Sequence, residues 1–155
     1  MSILKVDTIN EKTTGNGVAI PGHVIQVVNG ASSTDASYTS SSYTTIMQAT
    51  ITPKFTSSKI LIIYNFNSTW KNNQTAEGNW SIFRDSTNIA HVDGITPYNG
   101  STTNNSAGSV AGTYLDSPST SSAITYYGKL SITNGTVRLN TEGGLCAITL
   151  MEIAQ

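Results

Sequence analysis

An antiparallel β-sandwich of jelly-roll type is the fold this sequence predicts, and three observations predict it. Apolar residues alternate, or run on for a few positions, at spacings that suit strands and nowhere suit an amphipathic helix of useful length. Gly, Asn, Asp and Pro separate these stretches at positions that favour turns. The final stretch, Leu145 to Gln155, is apolar on both faces. Alternation puts Cys146, Ile148, Leu150 and Ala154 on one side and Leu145, Ala147, Met151 and Ile153 on the other. A strand in a two-layer fold needs only one apolar face. The second face predicts self-association, with Leu145, Ile148, Leu150, Met151 and Ile153 as candidate oligomer-interface residues.

Length and composition bound the rest. A chain of 155 residues suits one domain with a proper core. Charged residues are 11% of it, well below the ~25% of an average globular protein, and neutral Ser, Thr, Asn and Gly take their place. A formal net charge of -1 lacks the basic footprint that nucleic acid or an anionic membrane surface calls for, so neither partner is expected. The single cysteine, Cys146, reads as a small core hydrophobe. No apolar run resembles a signal peptide or a membrane span, so no membrane insertion is expected.

Taken in order, residues 1–22 read as an extended attachment segment and residues 23–155 as the β domain. Ile3 to Ile9 is a short half-apolar strand carrying Leu4, Val6 and Ile9, too small to fold alone. His23 to Val28 is a strand, and Ala31 to Ser42 a Ser/Thr-rich surface loop. Tyr43, Thr45, Met47, Ala49 and Ile51 share one face of the next strand, which Pro53 stops. Lys59 to Phe66 is nearly all apolar and so a central strand. Asn67 to Gly78 is polar apart from Trp70, and a hairpin follows, with Trp80 to Arg84 and Ile89 to Val92 flanking a turn. Gly94 to Gly112 reads as a long loop, of the kind that carries function. Ile124, Tyr126, Leu130 and Ile132 mark one face of a long strand, Asn134-Gly135 suggests a hairpin turn returning Val137 and Leu139 beside it, and Glu142-Gly143-Gly144 leads into the last strand.

The chemistry-bearing residues form no catalytic pattern. His91-x-Asp93 is a weak metal-ligand spacing that reads better as a polar rim. The acids Asp35, Asp85, Asp93, Asp116 and Glu142 sit mainly in turns, where Asp bonds its own backbone. There is no phosphate loop, nucleophile elbow, zinc motif or dinucleotide fingerprint, so no enzyme, catalytic residue, metal or cofactor is expected. Glu152, among apolar neighbours, is expected to reach solvent or to meet a cation such as Lys59, Arg84 or Arg138. The candidate receptor-contact residues are Trp70, Asn72, Asn73, Tyr98 and Asn99, aromatic and amide groups in polar loops that could stack on sugar rings or bond to them.

Several blocks carry a family resemblance. Leu4 to Val18, then Ile51-Thr52-Pro53-Lys54 with Ser57 to Leu61, then Tyr114 to Pro118 with Ile124-Thr125-Tyr126, and finally Leu150 to Ile153 resemble, in the same order, tail-fibre and other virion appendage proteins of tailed bacteriophages, especially marine phages that infect cyanobacteria. The resemblance covers most of the chain. It implies a homotrimeric, fibre-like β protein of the virion, made in the host cytoplasm, that joins other virion proteins through its N-terminal segment and takes part in host attachment. A host surface glycan or an outer-membrane protein would be the partner there. No repeat or coiled-coil shaft is present, which suits a short fibre or appendage. The alternative is a capsid or neck decoration, a knob or head fibre with a purely structural role.

Overall fold

The structure, a computed structural model, describes residues 8–10, 15, 18, 20–71, 76–92 and 106–155, and of residues 68, 106 and 107 the backbone alone. Among the described residues there is no α-helix. The strands are β1 (Val24–Ser32), β2 (Ala36–Tyr38), β3 (Thr44–Ile51), β4 (Lys59–Lys71), β5 (Glu77–Arg84), β6 (Thr87–Val92), β7 (Ser106–Asp116), β8 (Ile124–Asn134), β9 (Val137–Leu139) and β10 (Cys146–Ile153). They make two antiparallel sheets packed as a sandwich. The first runs β1-β10-β4, with β7 on the far edge of β4 and the short β9 and β2 prolonging the β10 and β1 positions. The second runs β3-β8-β5-β6.

The core lies between them. β4 is central because it pairs along both edges, and its apolar run sends Ile60, Ile62, Tyr64 and Phe66 inward. Ile148 and Leu150 of β10 lie beside them, and Trp80, Ile82, Tyr126 and Leu130 face them from the second sheet, all within 1% of complete burial. The Phe66 and Trp80 ring centroids are 4.9 Å apart across the core.

Two carboxylates organise the end of the sandwich where β1 begins. Glu152 is fully buried yet satisfied: it accepts from Gln26 Nε2 at 2.6 Å, from the Lys54 backbone N–H at 2.8 Å and from that of Phe55 at 3.3 Å. The expected solvent or cation partner is replaced by backbone donors, because the β3–β4 connection folds over the strand end. Asp116, at the end of β7, bridges the sheets. Both its oxygens accept from Arg84 Nη1 of β5, at 3.0 and 2.9 Å, and Oδ2 also accepts from the Tyr126 hydroxyl of β8 at 2.7 Å.

The chain meets β1 through a type II turn. The His23 N–H donates to the Ile20 carbonyl at 2.9 Å, with Pro21 and then Gly22 (φ 86°) at the central positions this turn favours. Gly22 N donates to the Ala154 carbonyl at 2.8 Å, and Ala154 N to the His23 carbonyl at 2.9 Å. The boundary expected at residue 22 therefore falls inside a turn tied to β10.

Several sequence expectations change. A bulge between Thr45 and Met47 shifts the phase of β3, so Met47, Ala49 and Ile51 are buried while Thr45 and Tyr43 are exposed. Residues 106–112, expected as loop, are strand: β7 is an outer strand whose small residues pair with β4. The Ala31–Ser42 stretch contributes the end of β1 and all of β2. Asn134-Gly135 does not close a β8–β9 hairpin. Both edges of β8 are taken, by β3 and β5, so β9 crosses to the first sheet and pairs with β4 and β2.

At Gly30 the backbones of β1 and β3 come close enough that a Cβ would sit 1.8 Å from the Gln48 carbonyl oxygen. Gly108 has open space and an ordinary φ. Gly30→Ala should lower the unfolding free energy by about 3 kcal/mol or more, as overpacking does where backbone must move. Gly108→Ala should be neutral or stabilise by roughly 0.4–1 kcal/mol through the unfolded chain. Urea unfolding of both variants checks this; equal effects would mean that the close approach is not real.

Candidate functional site

The two outer sheet faces differ in chemistry. On the first sheet, register places Val27, Met151, Leu61 and Leu115 in one row across β1, β10, β4 and β7. Val27 and Leu115 are 55% and 50% exposed, and Met151 and Leu61 half-buried. Val24 opposite Ile153, and Ile63 one step along β4, extend this apolar surface. Each aliphatic side chain left in water forgoes up to about 1.5–3 kcal/mol of burial. The final strand thus keeps its two apolar faces, and they have different fates. Ile148 and Leu150 are wholly buried in the core and cannot touch a partner, which removes them from the candidate interface. Met151 and Ile153 remain on the outer face, and Leu145, before β10, is 49% exposed.

The outer face of the second sheet is aromatic and polar. Phe83 of β5 lies opposite Tyr127 of β8, and Lys129 Nζ sits 4.3 Å from the Phe83 ring centroid and 5.0 Å from that of Tyr127. Tyr43 packs edge-on to Phe83 at 5.1 Å. Its hydroxyl accepts from Ser81 Oγ at 3.0 Å, and Ser81 Oγ shares a further hydrogen bond with His91 Nδ1 at 2.9 Å. Asn88 Nδ2 lies 3.3 Å from the same oxygen. Ser81 is 1% exposed and already engaged, so this serine–histidine contact is a positioning network and not an accessible nucleophile. Sequence reading missed this cluster because its members come from β5, β6, β8 and the residue just ahead of β3, and the β3 bulge moved Tyr43 off its expected face.

Trp70 stands in β4 and not in a loop, half-buried between Arg138 of β9 and Ala107 of β7. Arg138 is held by Asp35, with Nε–Oδ1 at 2.6 Å and Nη2–Oδ2 at 2.5 Å. Asn72, Asn73, Tyr98 and Asn99, and Leu4 and Val6, lie outside the described residues, as does Asp93 of the His91-x-Asp93 pair. Ile9 is 56% exposed. Among the described residues no group of three or more His, Cys, Asp or Glu could hold a metal ion. Cys146 is fully buried, and burial pushes its thiol pKa up, as befits a core residue and not a nucleophile.

Comparison of the chain with protein-family models and with curated proteins finds no match to either.

The Tyr126 phenol is pushed far above its ordinary pKa, first by burial and then by its hydrogen bond to Asp116. An unfolded tyrosine ionises near ~10. Above that pH the unfolded chain has released a proton that the folded chain still holds, so the contribution of Tyr126 is complete below ~10 and declines as pH rises further. Tyr38 and Tyr64, also raised by burial, act in the same direction. Tyr126→Phe should cost about 1–3 kcal/mol at neutral pH, because Asp116 loses a buried donor. It should also flatten the alkaline fall in stability measured by urea unfolding between roughly pH 8 and pH 11. An unchanged alkaline slope would assign that fall to other groups.

Proposed function

We propose that this chain is a virion structural protein of a tailed phage, a short homotrimeric appendage or tail-fibre domain that takes part in host attachment. The observation that carries the reading is the apolar row Val27–Met151–Leu61–Leu115 on the outer face of the first sheet. A second copy is its natural cover, since closed symmetry buries such a face on every subunit at once. Three-fold closure is what the resemblance to phage appendage proteins adds. The strand orders β1-β10-β4-β7 and β3-β8-β5-β6 support a jelly-roll reading: each sheet alternates early and late strands, as two Greek keys wound together would require. In this reading residues 1–19 join the domain to other virion proteins and leave it beside the Ile20–His23 turn.

The assembly is tested by charge. Met151→Lys should give folded monomers, while Leu150→Lys should unfold the domain, as read by sedimentation and circular dichroism together. A wild-type protein that sediments as a monomer at micromolar concentration would remove the oligomer from the proposal.

The role is tested on particles and cells. A chain lacking residues 1–19 should still fold, because the turn and every described strand remain, yet fail to enter virions. The intact protein in excess should compete with phage adsorption to a susceptible strain. Undiminished adsorption with no cell binding would favour the purely structural decoration instead.

A further inference from the structure

We propose that the outer face of the second sheet is a saccharide-binding platform selective for acidic sugars, centred on Phe83, Tyr127 and Lys129. The inference deepens the host-attachment reading and rests on it for the source of the glycan. Two half-exposed rings lie side by side on adjacent strands, and the group above them is an ammonium, not an aliphatic side chain. Aromatic faces of this kind are apolar enough to receive the C–H face of a pyranose. Lys129 pairs with no carboxylate among the described residues. Asp85, just beyond β5, is engaged instead by the Thr125 backbone N–H at 3.1 Å. The ammonium is therefore free to exchange a weak exposed contact with ring faces for a charge-assisted bond to a sugar carboxylate, while the rings it uncovers take the sugar.

The platform is also fixed in place. The Ser81 hydroxyl holds Tyr43 and His91, and Tyr43 in turn buttresses the edge of Phe83. Such preorganisation lowers the cost of binding. Thr45, Gln48 and Asn88 surround the rings with neutral donors and acceptors suited to hydroxyl groups. Because the apolar face belongs to the opposite sheet, self-association through that face leaves this one open to solvent.

The test compares two oligomers that differ only at C6: a hexamer of β-1,4-linked glucuronic acid and cellohexaose. Calorimetric titration of the intact protein should show the uronate hexamer bound at least tenfold more tightly than its neutral counterpart. The preference should shrink in high salt. Lys129→Gln should abolish the preference, and Tyr127→Ala should weaken binding of the uronate hexamer at least tenfold, with circular dichroism confirming that each variant folds. Should Tyr127→Ala fail to fold, Lys129→Gln decides alone. No uronate binding, equal affinity for the two hexamers, or a preference that survives Lys129→Gln would each overturn the proposal. Adsorption competition uses whole phage and cells, so the host-attachment reading can stand or fall separately from this result.

Discussion

The structure depends on the register of β10. It lies between β1 and β4, and a slip of one residue against either neighbour would turn Met151 and Ile153 into the core and Ile148 and Leu150 out of it. In most sandwiches the difference in polarity between faces prevents that slip, but here both faces are apolar and polarity is a weak guide. Glu152 supplies what polarity does not. Its carboxylate is buried on the inner side and bound by two backbone N–H groups of the β3–β4 connection and by Gln26. A slipped strand would either strand this charge without donors or expose Leu150. Gln26 Nε2 also donates to the Thr52 carbonyl at 2.7 Å, so β1, β10 and the β3–β4 connection are fixed together.

With the register fixed, the two sheets take different surroundings. The first sheet carries aliphatic side chains on both faces, while the outer face of the second carries aromatic and polar ones. The exposed Val27 and Leu115 of the first sheet belong to the face that the proposed self-association would cover. The Arg84–Asp116–Tyr126 bridge joins β7 of the first sheet to β5 and β8 of the second.

How much of this could be read from the sequence depended on where each residue's partner lay. β4, β8 and β10 were legible because they carry their own apolar pattern, and the all-β antiparallel sandwich followed from them. β7 was not, since Ala107, Gly108, Ser109, Ala111 and Gly112 have no apolar face, and the segment becomes a strand only because β4 offers it an edge. β9 misled because Asn134-Gly135 is a local hairpin signal, while occupancy of both β8 edges is a property of the whole fold. Glu152 was legible as an oddity but not as an anchor, because its donors are more than ninety residues away in sequence. Of the candidate interface, alternation separated the two faces of β10 correctly without saying which one faced inward. The aromatic platform on the second sheet left no mark on any single stretch, because Tyr43, Phe83 and Tyr127 each look ordinary alone.

The sandwich also has two unlike ends. The Ile20–His23 turn is bonded to Ala154, which places the arrival of the N-terminal segment at the end where β4 begins at Lys59, opposite Ile153. Register carries β4 from there to Lys71, opposite Ser106, at the other end, where β5 also begins, with Glu77 opposite Asn134, and where β6 finishes with Val92 opposite Trp80. The described strand ends at Lys71 and Val92 therefore lie remote from the Ile20–His23 turn, with Trp70 one residue before the first of them. The Phe83–Tyr127–Lys129 platform lies on the outer face of the second sheet, whereas the Ile20–His23 turn is bonded to the chain just after β10 of the first, so the proposed recognition surface and the proposed attachment point belong to different sheets.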